Sequence, residues 1–170
     1  WLTARIDSDD WHALWNRKNA QAAASIMDDD QRLDMLRRLP AHFYLGDVTA
    51  TLIGDSDDVY RQVLRDQSLN AHWKDPLKRS ADDAWRRRAG IALDEGRSPQ
   101  EVARASMRSS DSWSGPESAH LQGHIDDFTR WCEDPDCRIR QVVGQIVAWL
   151  AESRERALVD ERREAIEGFR

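Results

Sequence analysis

Only two cysteines, Cys132 and Cys137, occur among the 170 residues. Two are too few for a disulfide framework, and a reduced, cytoplasmic setting is the expectation that follows. No run of about 18 apolar residues is present, which excludes a membrane-spanning helix. No charged N-terminal stretch leads into an apolar one, as a secretory signal requires. Positive charge is in short supply: 25 Lys and Arg stand against 31 Asp and Glu, leaving a net charge of −6. That balance weakens any general attraction to nucleic acid or anionic lipid, although a local basic patch can still act. Phosphate-binding glycine loops, dinucleotide fingerprints, HExxH pairs and nucleophile elbows are all missing. The stretch SWSGP (112–116) lacks the GxSxG pattern and a strand-to-helix setting, so Trp113 reads as an anchor for its loop. Alternating β-branched runs are scarce, so strands are not expected.

What is present is helical periodicity in a chain long enough to bury a core. Ser8 is placed as an N-cap, and Trp11, Leu14 and Trp15 then share a face at i, i+3, i+4. Leu33, Leu36 and Leu39 form the stripe of the next helix, which stops before Pro40. Residues 41–53 read as a helix closed by Gly54, and Ser56 caps the one after it. A connection at 70–80 precedes a helix from residue 81, closed by Gly96 at the C′ position. Ser98, Pro99 and Glu101 make a capping box with proline at the first helical position. A second loop, 109–118, leads into a helix carrying Leu121, Ile125, Phe128 and Trp131. About eight or nine helices are expected. The eight Trp residues fall mostly at helical spacing, and core packing is their default role. Arg greatly outnumbers Lys, and Ala and Asp are abundant, a composition that suggests a bacterial source. The chain opens on Trp1, which suggests a domain excised from, or terminal in, a larger protein.

One segment echoes another. The stretch DSDDVYRQVL from Asp55 and the stretch DPDCRIRQVV from Asp134 align, pairing Asp57 with Asp136, Tyr60 with Ile139, Arg61 with Arg140 and Val63 with Val142. They stand 79 residues apart, close to twice the ~40-residue period of paired-helix repeats. In the later helix, Ile139, Val142, Val143, Ile146 and Leu150 form one apolar stripe. Gly144, Ala148 and Ala151 form a second face of small residues, and a helix with both can pack on two sides, as a stacked array requires. The sequence DPDCRIRQVVGQIVAWL resembles the second half of a HEAT-like repeat, an Asp-Pro turn followed by a helix that opens on a basic residue and continues in Val and Ala. The likeness is good over 117–152 and partial over 40–67. The resemblance implies an interaction scaffold, with Asp134, Asp136 and Arg140 as structural residues of the repeat turn.

Three groups of residues carry possible chemistry. His120, His124 and Asp127 share a helix face, where two imidazoles and a carboxylate are able to hold Zn²⁺ or Fe²⁺. No further ligand is identifiable, so they are read as packing residues and no metal is expected. Cys132 and Cys137 lack a second zinc pair, and Cys132, beside the apolar stripe, is expected to be a buried thiol. The helices at 81–94 and 98–109, joined by a turn at 95–97, look like a helix-turn-helix. Gln100, Arg104 and Arg108 then lie along the second helix as groove-reading side chains, but Asp82, Asp83, Asp94, Glu95 and Glu101 cancel much of the field.

The sequence is therefore read as all-α, a single helical-repeat domain over 1–170 of antiparallel helix pairs. These stack as a short HEAT-like α-solenoid or a compact helical bundle. The expected role is non-catalytic protein recognition or scaffolding in a larger cytoplasmic bacterial protein, with no cofactor and with a protein or a neighbouring domain as partner. A helix-turn-helix nucleic-acid module is the alternative, and an enzyme with an unrecognised site is third.

Overall fold

The computed structural model describes residues 17–38, 46–66, 77, 81–107 and 114–167. Every regular element among them is an α-helix. Ser8, Trp11, Leu14, Trp15, Leu39, Pro40, Arg108, Trp113 and most of the connections at 70–80 and 109–118 lie outside the described residues. The chain groups into two compact units, Trp1–Pro76 and Leu77–Arg170.

The N-terminal unit holds α1 (Arg17–Ile26), α2 (Asp29–Arg38), α3 (Gly46–Ile53) and α4 (Asp57–Arg65). α2 opens on a capping box: Asp28 Oδ1 accepts from the Gln31 amide at 2.8 Å, and Gln31 Oε1 accepts from the Asp28 amide at 3.2 Å. Two otherwise orphaned N–H groups are satisfied reciprocally. Leu33 and Leu36 are buried as their spacing requires, together with Leu52, Ile53, Val59, Tyr60 and Val63 from α3 and α4. Gly54 ends α3 at φ +53°, a left-handed turn that glycine adopts without steric cost. Ser56 then caps α4, its Oγ accepting from the Val59 amide at 3.2 Å. Arg32 Nη2 donates to the Ala24 carbonyl at 2.6 Å, tying α2 to the last turn of α1.

The C-terminal unit holds α5 (Asp83–Asp94), α6 (Pro99–Met107), α7 (Glu117–Thr129) and α8 (Cys137–Glu167). α5 ends in a Schellman motif. Gly96, at φ +90°, donates to the Leu93 carbonyl, and Arg97 donates to the Ala92 carbonyl, satisfying two terminal acceptors. The capping box expected at α6 is formed: the Ser98 amide donates to Glu101 Oε2 at 2.8 Å, and the Glu101 amide donates to Ser98 Oγ at 3.2 Å.

α8, with 31 residues and a length of about 46 Å, packs against α5, α6 and α7. Its stripe of Ile139, Val142, Val143, Ile146 and Leu150 is buried throughout, and each such side chain stabilises by roughly 1.5–3 kcal/mol. Trp85 of α5 fills the space opposite. It meets the Phe128 ring edge-on at 5.0 Å between centroids, and its indole Nε1–H donates to Ser106 Oγ at 3.0 Å. The small-residue face is different from expectation: Gly144, Ala148 and Ala151 are all exposed. A small residue permits close approach but does not compel it, and no described helix covers this side of α8.

α7 and α8 run antiparallel, because Ser118 at the start of α7 bonds Glu161 near the end of α8. Pro116, the residue before α7, offers no side-chain cap. The Glu161 carboxylate supplies one from across the hairpin, accepting from the Ser118 amide at 2.9 Å and the Ser118 hydroxyl at 2.7 Å. These bonds hold the Glu161 carboxyl below its ordinary pKa.

Candidate functional site

A dense polar cluster lies where the chain turns into α8. α7 ends at Thr129 and the backbone coils through residues 130–133. Trp131, half-buried in that turn, donates its indole N–H to the Ala81 carbonyl at 2.7 Å. Asp134 then points inward, its side chain only 2% exposed. A buried carboxylate must be paired, and Arg86 of α5 supplies a fork: Nε donates to Oδ2 and Nη2 to Oδ1, both at 2.9 Å. Oδ1 also accepts from the Asp136 amide at 2.9 Å.

Asp136 stands just before the first helical residue of α8, and its Oδ1 accepts from the Arg138 amide at 2.8 Å. This is an N-cap with a charged acceptor at the positive end of the helix dipole. The Arg138 guanidinium folds back on the same carboxylate at 2.8 Å from Nη2 and reaches Asp94 of α5 at 2.9 Å. Arg140 donates through Nη1 to the carbonyls of Asp134, at 2.6 Å, and Pro135, at 3.2 Å. The turn carrying Asp134, Asp136 and Arg140 is thus bound to α5 by two arginines and to itself by a third.

Chemically, this cluster is a brace. The Arg86 bonds hold the Asp134 carboxyl below its ordinary pKa despite burial. Hydrogen bonds from Arg138 hold Asp136 at about 2. Both groups are ionised near neutrality with their oxygens occupied, so neither is poised for general acid–base work, which needs a pKa near the working pH. Sequence reasoning misses Arg86, Asp94 and Arg138 as partners of this turn. Arg86 is the first of three consecutive arginines, 86–88, and nothing local marks it as the partner of this turn.

On α6, Gln100 and Arg104 are exposed, while Val102, Ala103 and Ser106 face the core. The acids expected to offset them are present and largely engaged. Glu101 closes the capping box, Asp82 caps α5 through the Trp85 amide, Asp83 pairs with Arg130 and Asp94 with Arg138.

On α7, the His120 and His124 Nε2 atoms lie 3.1 Å apart with the rings nearly perpendicular. Both rings are half-buried and Asp127 is exposed. The structure gathers no group of three or more metal-ligating side chains among the described residues. Cys132 and Cys137 are free and exposed, which corrects the buried thiol expected at Cys132. The expected apolar stripe runs on through Trp131, but α7 stops at Thr129, and the turn carries Cys132 away from the core.

Large apolar side chains reach solvent on α8: Trp149 is 40% exposed, Val159 61% and Ile166 66%. Beyond Leu150, only Ala157 of α8 is buried. No described helix is long and apolar enough to cross a membrane. Comparison with protein families, curated proteins and solved structures finds no match for this chain.

Proposed function

We propose that this chain is a non-catalytic, HEAT-like helical-repeat module that recognises a protein partner or a neighbouring domain within a larger cytoplasmic bacterial protein. The observation that carries the reading is the distal half of α8. Val159 and Ile166 stand two helical turns apart on one face, and both are more than half exposed. An amphipathic helix with apolar side chains at this spacing is what a partner groove or helix takes up. The α7–α8 hairpin supports the repeat reading: helix, Asp-Pro turn, long helix, with the stripe facing inward. α3, the Gly54 turn and α4 form a shorter counterpart. Asp134, Asp136 and Arg140 would then brace the turn of the α7–α8 unit.

The test is photo-crosslinking in the native cells from a photoreactive amino acid at Val159 of the intact protein. The reading expects one discrete adduct, to a separate protein or within the intact chain to another of its domains, lost when Ile166 is changed to Asp while helicity is retained. Absence of discrete adducts from this face counts against it.

The exposure of Gln100 and Arg104 on one side of α6 favours a second reading, a helix-turn-helix that enters a DNA groove. Selection from a random duplex library should then return one site. Arg104→Ala should weaken that site by about 1–3 kcal/mol and relax preference at one base. On the recognition-module reading, duplex DNA binds weakly and lets go steeply with salt.

A further inference from the structure

We infer that His120 and His124 form a two-imidazole chelate for a late first-row divalent transition metal, with Cu²⁺ bound more tightly than Zn²⁺. The two residues are one turn apart on α7, so the helix itself fixes their separation. Imidazole nitrogens sit about 2.0–2.1 Å from such a metal. At bond angles between 90° and 109°, two nitrogens on one ion are therefore about 2.9–3.4 Å apart. The Nε2 atoms here are 3.1 Å apart, inside that window before any metal arrives.

The metal-free contact is itself informative. Two ring nitrogens at this distance share a hydrogen bond, so one carries a proton and the other offers its lone pair. For both to ligate, the proton-bearing ring takes up the other neutral tautomer, with hydrogen on Nδ1 and the Nε2 lone pair free. That exchange passes through water and leaves the charge of each ring unchanged. Half-burial keeps the pair reachable by an ion. Asp127, a turn further on and exposed, is not needed for the chelate, and water fills the remaining positions. All-nitrogen donors favour the later metals, and the order among divalent ions puts Cu²⁺ above Zn²⁺. This assigns a binding role to residues whose spacing alone suggests packing.

The experiment is calorimetric titration of the purified chain with CuCl₂ and then ZnCl₂. The expected result is one saturable site for each metal, tighter for Cu²⁺. The second imidazole binds intramolecularly at high effective concentration, so His120→Ala and His124→Ala should each weaken the site by about tenfold or more. The Cu²⁺ complex should show two-nitrogen hyperfine coupling in electron paramagnetic resonance, reduced to one in either variant. The three remaining histidines, His12, His42 and His72, provide the control, since changing all three to Ala should leave the site intact. Dichroism verifies that each variant stays helical. A variant that loses helicity is replaced by His→Gln at the same position, which keeps a polar side chain. Undiminished Cu²⁺ binding in a helical double variant lacking both His120 and His124, or one-nitrogen coupling in the unaltered chain, overturns the assignment.

Discussion

Two helices of this protein begin from similar sequences and are built differently. α4 starts from DSDDVYRQV and α8 from DPDCRIRQV, and both bury the residues the alignment pairs: Tyr60 with Ile139, and Val63 with Val142. Their caps do not align. α4 is capped by the Ser56 hydroxyl, one position earlier in the alignment than the Asp136 carboxylate that caps α8. Around Asp136, two arginines from the start of α8 and one from α5 close a charged network. Around Ser56, one hydroxyl accepts from Val59 and donates to Asp29 of α2 at 2.7 Å. α4 then runs 9 residues and α8 runs 31. The apolar register follows from period alone, whereas the firmness of a helix start depends on which distant side chains converge on it.

The comparison breaks most sharply at Asp134. Asp134→Ala leaves the Arg86 guanidinium facing a buried hole. A fully buried pair broken this way costs about 3–5 kcal/mol. Arg86 is 33% exposed, so water takes up part of its charge, and a loss of about 2–3 kcal/mol is expected. The counterpart, Asp55→Ala, alters an exposed residue and should cost under about 1 kcal/mol. Urea denaturation of both variants measures the difference. Equal losses would mean that the Arg86 fork contributes nothing beyond a surface pair.

Acid separates the two helix starts next. The folded pKa values of Asp134 and Asp136 lie below their ordinary values, Asp136 at about 2. An unfolded chain takes up those protons near pH 4, before the folded chain does. The stability these carboxylates contribute is therefore complete above about pH 5 and drains as pH falls toward 2. Ser56 carries no titrating group, so its bond to Val59 persists. Amide-exchange protection should fall through this window at the first turn of α8, and Asp136→Asn should flatten the fall. A pH-independent protection there would contradict the network.

Removing each cap gives a smaller, matched pair. Ser56→Ala and Asp136→Ala should each lose about 1 kcal/mol. The distribution should differ. α4 is short, so exchange should quicken along all of it, whereas in α8 the buried stripe confines fraying to the first turn. Site-resolved exchange distinguishes these outcomes, and uniform fraying of α8 would show that its stripe does not anchor it.

What is legible in the sequence follows the same division. The stripe on α8, the Gly54 and Gly96 stops, and the caps at Ser56 and Ser98 are local patterns of spacing and residue type. The Asp28–Gln31 capping box has the same kind of signature, and sequence reasoning misses it all the same. Asp134 is readable as a turn residue, but its partner Arg86 lies 48 positions away, and nothing local distinguishes that arginine from its neighbours. Glu161 looks like any exposed acid on a charged helix until the hairpin folds and brings it to Ser118. The face of Gly144, Ala148 and Ala151 misleads because small side chains are compatible with both packing and exposure. Of the metal candidates, spacing gathers His120, His124 and Asp127 equally, and only coordinates separate the close pair from the third.

The smallest expected effect asks why α4 does not use an aspartate cap as α8 does. Serine and aspartate are about equally good N-caps, so Ser56→Asp should keep the bond to the Val59 amide. It cannot keep the bond to Asp29, because a carboxylate has no proton to donate and instead meets a like charge. Two unit charges about 4 Å apart repel by about 1 kcal/mol in water, and Asp29 is 49% exposed, so a loss of no more than about 1 kcal/mol is expected. Its electrostatic origin has two signatures. The loss should shrink in 1 M salt, where the Debye length is about 3 Å. It should also largely vanish in an Asp29→Asn background, where an amide faces the new carboxylate and can donate to it. A loss that persists in both conditions would trace to the geometry of the turn, and the hydroxyl at 56 would then owe nothing to its neighbour on α2.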